Sequence, residues 1–118
     1  LYPGLKWGIE EAAAVVHGLG GLFVPAHVNR STNGLYAQLG IFPDGLEADA
    51  VEISRHTTRV AMMAEHPELE QFVMLQNSDA HFIDDVGRAG NSYLIKGRHF
   101  DELRMALKGE EGRKVFEL

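Results

Sequence analysis

Residues 72–81 read FVMLQNSDAH, an apolar run followed by a polar stretch in which an aspartate and a histidine stand two positions apart. The apolar part, 72–75, has the length and composition of a short buried strand. In an extended chain the side chains at positions i and i+2 point to the same side. If this geometry persists beyond the strand, Asp79 and His81 converge at its end, where they are predicted to bind metal.

A second apolar run, residues 22–24, also ends in a potential ligand, because Pro25, Ala26 and His27 follow it directly. An isolated Asp-x-His pair is common by chance, so the prediction of a metal site rests on the two strand ends together. The chain has no cysteine, which leaves histidine and carboxylates as the available ligands. Without a metal, Asp79 could cap a turn, His81 could be a loop imidazole, and His27 could hydrogen-bond the backbone.

The predicted elements alternate between helices and strands along the whole chain. Apolar residues at spacings of three and four predict a helix over 8–19, and further helices or helical turns are predicted at 35–41, from Thr57 or Thr58 to 64, at 68–71, and from 101 to Gly109. Strands are predicted at 22–24, 48–53, 72–75, 92–95 and 115–116. This alternation predicts one α/β domain over residues 1–118, with a mainly parallel sheet and alternating helices.

Loops at the carboxyl ends of parallel strands meet on one side of a sheet, where ligands and catalytic groups collect. Glu52, near the end of the strand at 48–53, is therefore predicted to lie beside His27 and the Asp-x-His pair. The alternative is that Glu52 forms a structural ion pair with Arg55 or Arg59.

The other four histidines are predicted to lie outside the metal site. His17, His66 and His99 are predicted to be solvated on helix surfaces or ends. His56 follows the strand at 48–53 closely enough to be a candidate, although a role outside the site is the preferred interpretation.

Two arginines, Arg30 and Arg88, occupy loops that are predicted to flank the same mouth of the sheet. A guanidinium is a natural bidentate partner for phosphate, so both are candidate phosphate-binding residues. Each could equally be a surface charge.

The composition limits the class of protein and of partner. Hydrophobic residues make up 45% and charged residues 24% of the 118 residues, as in an ordinary packed domain. Eleven basic against 17 acidic residues give a net charge of −6, which makes nucleic acid a less favoured partner. No apolar run reaches the length of a membrane span, so no membrane association is predicted, and the lack of cysteine fits a reducing cytoplasm.

Four short motifs in this order resemble the PHP (polymerase and histidinol phosphatase) superfamily: Gly20-Gly21-Leu22, Pro25-Ala26-His27, Asp49-Ala50-Val51-Glu52-Ile53 and Asn77-Ser78-Asp79-Ala80-His81. The resemblance implies the C-terminal half of a distorted (β/α)7 barrel. In that family, histidine and carboxylate ligands hold two or three metal ions that hydrolyse phosphoesters.

Carried over to this sequence, the resemblance implies that His27 is the late histidine ligand of the family. Asp79 and His81 correspond to its closing Asp-x-His pair. Glu52 matches a recurrent acidic position and is a candidate for contacting the metal ligands rather than the metal itself. The implied cofactors are divalent ions (Zn, Mn or Fe), and the implied substrate is a phosphorylated small molecule.

The sequence departs from the family because the opening His-x-His motif, a further histidine and the middle Glu and His ligands have no counterpart. The metal site is thus expected to be partial, in the C-terminal portion of a metal-dependent phosphoesterase that is inactive or weakly active by itself. The alternative is a non-catalytic binding or regulatory domain on a degenerate PHP scaffold. A third alternative is purely structural: the truncated sheet exposes an edge that pairs with a second copy. The remainder of a parent chain is the other candidate partner.

Overall fold

The computed structural model describes residues 4–117. Its elements in chain order are α1 (Ile9–Gly18), α2 (Leu35–Leu39), β1 (Val51–Glu52), α3 (Arg59–Glu65), a 3₁₀ turn (Pro67–Gln71), β2 (Met74–Leu75), a 3₁₀ turn (Ile83–Asp85), β3 (Tyr93–Leu94), α4 (Phe100–Lys108) and β4 (Lys114–Val115). Every predicted helix is confirmed, and four of the predicted strands overlap an observed one. The predicted domain runs over 1–118, so its two ends lie outside the described residues.

The strands form two separate pairs. β1 and β2 are parallel, with Val51 opposite Met74, whereas β3 and β4 are antiparallel, with Tyr93 opposite Val115. The prediction of a mainly parallel sheet therefore describes the first pair and not the second. Strands of two residues present too few side chains for composition to specify the direction of pairing.

The predicted strand at 22–24 is not a regular strand, although its backbone runs beside β1. The amide of Asp49 donates to the Phe23 carbonyl (2.9 Å), and the amide of Glu52 donates to the Pro25 carbonyl (2.9 Å). Phe23 and Pro25 are two positions apart, whereas their partners Asp49 and Glu52 are three positions apart, so the pairing is irregular. Pro25 has no N–H, so it contributes only its carbonyl to this contact, and the ladder is interrupted there.

The segment around β1 is the centre of the molecule because it is hydrogen-bonded along both edges. On the edge away from residues 23–28, the amides of Val51 and Ile53 donate to the carbonyls of Val73 and Leu75, each at 2.9 Å. Three adjacent segments therefore end on the same side.

The core covers both faces of this central segment. Val51 and Ile53 have no exposed surface and belong to the larger cluster, whereas Ala50 packs with Leu75 and Leu107 on the other face. The alternation along β1 matches the two-residue period of a strand that is buried on both sides. The larger cluster comprises Ala13, Val28, Leu35, Leu46, Val51, Ile53, Met62, Leu69 and Met74.

Two of the three histidines that were predicted to be solvated have protein partners instead. His17 Nε2 lies 2.8 Å from Asp49 Oδ2, and the His66 ring stacks on Tyr36 with 3.7 Å between centroids. The prediction was wrong for these two because both partners are distant in the sequence, and it is confirmed for His99, which is exposed.

No helix among residues 4–117 is long and apolar enough to cross a bilayer.

Helix α3 begins at a side-chain cap that the sequence analysis placed at Thr57 or Thr58. The Thr58 hydroxyl accepts a hydrogen bond from the amide of Ala61 at 3.1 Å. Replacing Thr58 by alanine removes this acceptor and is expected to lower the free energy of unfolding by about 0.5–2 kcal/mol. Urea denaturation measures the change, with Thr57→Ala as the matched control. Equal losses in the two variants would contradict the capping role.

A buried ion pair attaches the second strand pair to α4. Arg113 donates from Nη2 to Glu102 Oε1 (2.7 Å) and from Nε to Oε2 (3.0 Å), and the Lys96 amide also donates to Oε2 (2.8 Å). The hydrogen bonds from Arg113, followed by that from Lys96, lower the pKa of Glu102 from its ordinary value of 4.5 to about 2.

The lowered pKa predicts how stability depends on pH. The ionised Glu102 stabilises the fold fully above pH 4.5, and this contribution is lost as the pH falls from 4.5 toward 2. Thermal melts across that range are expected to show a smaller fall in Tm for Glu102→Gln than for the wild type, from a lower starting value. Parallel pH profiles would contradict this assignment.

Candidate functional site

A cleft of about 260 Å³ opens where the three adjacent segments end. It lies beyond Pro25, beyond β1 and beyond β2, on the side where the sequence predicts a site. Its lining consists of His27, Arg30, Glu52, Ile53, Ser54, Arg55, His56, Asn77, Ser78 and Asp79. The structure thus brings together His27, Glu52 and Asp79, which are far apart in sequence.

Two of these residues have unusual backbone conformations. His27 has a φ of 29° and Asp79 a φ of 48°, both in the left-handed region that residues other than glycine seldom adopt. Such conformations persist where surrounding contacts determine them, and they concentrate at functional sites.

The left-handed turn at Asp79 changes how the Asp-x-His pair is built. The assumption that the extended geometry persists beyond β2 is wrong at this residue. His81 therefore lies outside the lining of the cleft, and its side chain is 64% exposed. The two side chains still approach each other, with 4.0 Å between His81 Nδ1 and Asp79 Oδ1. His81 Nδ1 also lies 2.8 Å from the backbone oxygen of Asp79.

Glu52 does not form the structural ion pair that was its alternative interpretation. Its Oε1 accepts the backbone N–H of His27 at 3.0 Å, and its Oε2 accepts Asn77 Nδ2 at 2.5 Å. Arg55 instead approaches Asp85 (3.6 Å), and Arg59 donates to the Phe72 carbonyl (3.1 Å). Glu52 is thus part of the cleft and connects its two sides.

Unsatisfied polar atoms concentrate in this cleft. Within residues 4–117, His27 Nδ1 and Arg55 Nη1 are the buried side-chain nitrogen or oxygen atoms that lack a hydrogen-bond partner, and both residues line the cleft. Leaving such a group buried without a partner costs about 1–3 kcal/mol. A bound water or ion would satisfy such a group, and so would a substrate atom.

The donor types in the cleft suit a divalent metal, whereas their number falls short. Imidazole and carboxylate groups are ordinary ligands of Zn, Mn and Fe. Within the described part of the chain, however, no three His, Asp or Glu residues stand close enough together to hold a metal ion. His27, Asp79 and His81 therefore do not form a complete metal site by themselves.

The two arginines predicted to bind phosphate occupy different positions. Arg30 lines the cleft, and its Nη1 lies 3.3 Å from Asp79 Oδ2. Arg88 lies outside the lining, is 57% exposed, and donates from Nε to the Asp84 carbonyl at 2.9 Å.

Arg55 lines the cleft, although the sequence analysis considered it only as an ion-pair partner of Glu52. Arg55 donates from Nε to His56 Nε2 at 3.4 Å, and Arg55 Nη1 is without a partner. His56, for which a role outside the site was preferred, also lines the cleft. A usable signal was present in the spacing, because Arg55 follows Glu52 by three residues just as Arg30 follows His27.

No protein-family model matches the sequence. The chain is 35% identical over 106 residues to the uncharacterized protein YqxK of Bacillus subtilis (strain 168), a match that covers 85% of this chain and 27% of YqxK. Among solved structures it is similar to the lesion-specific endonuclease PfuEndoQ from Pyrococcus furiosus. That likeness has a TM-score of 0.73 at 30% identity and covers 91% of this chain and 28% of PfuEndoQ.

The chain is also similar to endonuclease Q in complex with a 27-mer duplex substrate that has an abasic lesion at the active site. This second likeness has a TM-score of 0.74 at 27% identity and covers 95% of this chain and 29% of the endonuclease. Endonuclease Q is a PHP-superfamily member, so the fold supports the resemblance inferred from the motifs. The chain spans less than a third of each protein that it matches.

Proposed function

We propose that the chain carries the late part of the active site of a metal-dependent phosphoesterase that cleaves DNA at damaged positions. The observation behind this proposal is the cleft in which His27, Glu52 and Asp79 meet, within a backbone that is similar to that of endonuclease Q. On this proposal the fold is the C-terminal half of a PHP-type barrel. The remaining ligands come from outside these residues.

His27, Asp79 and His81 are the proposed metal ligands of this chain. When bound, a divalent metal supplies Lewis-acid stabilisation and an activated water for attack on phosphorus. His27 is half-buried, and its buried Nδ1 has no hydrogen-bond partner, so this nitrogen supports the assignment as the atom that is free to ligate.

Arg30 and Arg55 are the proposed contacts for the phosphate oxygens. Arg55 has a guanidinium nitrogen without a partner, and Arg30 projects into the cleft beside Asp79. Guanidinium groups stabilise charge on non-bridging phosphate oxygens. Arg88, which lies on the exposed loop beyond Ser78, is proposed to contact the phosphate backbone farther from the cleft.

A DNA substrate departs from the expectation drawn from net charge. The value of −6 is a sum over 118 residues, and it does not decide the potential at one cleft. Two arginines line this cleft, and the solved complex of endonuclease Q contains duplex DNA. The arginines suit either substrate, since both contain phosphate, and the complex favours nucleic acid over the phosphorylated small molecule.

The test compares two labelled duplexes of identical sequence, one with an abasic site and one undamaged. Each is incubated with the polypeptide encoded by the whole gene, with Mn, Zn or Mg, and with a chelator as control. We expect metal-dependent cleavage of the abasic duplex and little cleavage of the undamaged one. Hydrolysis of small phosphomonoesters without cleavage of either duplex would contradict the DNA assignment, and chelator-resistant cleavage would contradict the metal assignment.

A binding or regulatory domain remains the second candidate function. It is favoured by the lack of any group of three potential metal ligands within residues 4–117. Binding of the abasic duplex by the whole-gene polypeptide without cleavage under any metal condition would support this candidate.

A further inference from the structure

Glu52 lies between the two segments that carry the proposed ligands. Its Oε1 accepts the His27 amide at 3.0 Å, and its Oε2 accepts Asn77 Nδ2 at 2.5 Å. β1, which carries Glu52, is the middle of the three segments, so the carboxylate connects its neighbour on one side with its neighbour on the other. Both carboxylate oxygens therefore already have donors from the protein.

The contact with Asn77 continues into a network of side-chain amides. Asn91 donates from Nδ2 to Asn77 Oδ1 (3.0 Å) and to the Gln76 carbonyl (3.0 Å). The Oδ1 of Asn91 accepts a hydrogen bond from the backbone N–H of Gln76 at 2.8 Å. The last backbone hydrogen bond between the β1 segment and β2 joins Ile53 to Leu75. Residues 76 and 77, which follow it, are held by side-chain hydrogen bonds instead.

These contacts act on the two left-handed residues of the cleft. His27 has a φ of 29°, and its own amide is the donor to Glu52. Asp79 has a φ of 48° and lies two residues after Asn77. A backbone in this region needs surrounding contacts to hold it there, and the carboxylate of Glu52 supplies one on each side.

From this geometry we infer that Glu52, acting through the His27 amide and Asn77, is a positioning residue that sets the placement of His27 relative to Asp79. It does not bind the metal. The inference rests on the proposed function in so far as His27 and Asp79 are metal ligands. Groups that hold metal ligands in place typically change metal affinity by about 10–100-fold when they are removed.

The test is an exchange of hydrogen-bonding groups between positions 52 and 77. Glu52→Gln alone places an amide N–H₂ opposite the Nδ2 of Asn77, so that two donors face each other. Combining Glu52→Gln with Asn77→Asp exchanges the donor and the acceptor between the two positions. The amide at 52 then donates to the carboxylate at 77, whose other oxygen still accepts from Asn91, and the substituted side chain at 52 keeps an oxygen for the His27 amide.

Two quantities are measured on the whole-gene polypeptide: the Mn and Zn affinity by calorimetry, and the amide chemical shift of His27 after ¹⁵N-histidine labelling in the metal-free state. We expect Glu52→Gln to weaken metal binding by about 10–100-fold and to move the His27 amide. The double variant should recover most of the metal affinity that the single variant loses. Glu65→Gln, a change at a glutamate whose side chain is 75% exposed, should alter neither quantity.

The outcomes separate the inference from the proposed function. A wild type that binds metal but cleaves no duplex refutes the proposed function, while the affinity and amide shift still decide the role of Glu52. Failure of the double variant to recover affinity refutes positioning, because a lost ligand cannot be restored from position 77. Unchanged affinity in Glu52→Gln, or a wild type that binds no metal, also overturns the inference.

Discussion

Asp79→Asn is expected to reduce cleavage of the abasic duplex by at least about a hundredfold, because it removes the carboxylate that is proposed to bind the metal. Asp79 has a φ of 48°, and asparagine tolerates the left-handed region as well as aspartate does. The substitution thus removes the charge while the backbone keeps its conformation. The measurement is the single-turnover rate with the whole-gene polypeptide.

Two further variants interpret this result. Asp79→Ala removes the same carboxylate and adds backbone strain, so a greater loss of thermal stability than in Asp79→Asn would report the strain separately from the chemistry. Asp44→Asn, at an exposed turn, makes the same change of side chain away from the cleft and should leave the rate unaltered. Turnover that persists in Asp79→Asn at the wild-type level would remove Asp79 from the proposed site.

Ile53→Ala is expected to lower the free energy of unfolding by about 2–5 kcal/mol. Ile53 has no exposed surface and is among the largest fully buried side chains of the described residues. It packs in the larger cluster, lines the cleft from within, and its amide donates to Leu75. Truncation therefore leaves a cavity directly beneath the candidate site.

Urea denaturation of the 118-residue chain measures this loss as a fall in the midpoint at constant m-value. Ile53→Val is expected to cost about 0.5–1.5 kcal/mol. Val60→Ala, at a residue that is 79% exposed, should stay within about 0.5 kcal/mol of the wild type. A loss below 1 kcal/mol in Ile53→Ala would contradict the assignment of this residue to the close-packed core.

Local sequence signals predicted the elements well where one residue determines the backbone. Thr58 caps α3 through its own hydroxyl, and Gly109 ends α4 in the left-handed region with a φ of 66°. In both cases the chemistry is contained in a few consecutive residues. Composition and spacing are then sufficient.

The sequence was less informative wherever a side chain finds its partner across the fold. The bond between His17 and Asp49 joins residues 32 positions apart, and no local pattern points to it. For the site, the alternation of elements correctly placed His27, Glu52 and Asp79 on one side of the sheet. The turn at Asp79 and the orphaned guanidinium of Arg55 depend on packing, so they were visible only in the structure.

The two clusters on either side of β1 restrict how the neighbouring segment can pair with it. Sliding residues 23–28 by one position along β1 would turn their side chains to the opposite face. Phe23 would then leave the larger cluster and Val24 the smaller one. Packing on both faces opposes this slip, and the observed register keeps His27 beside Glu52.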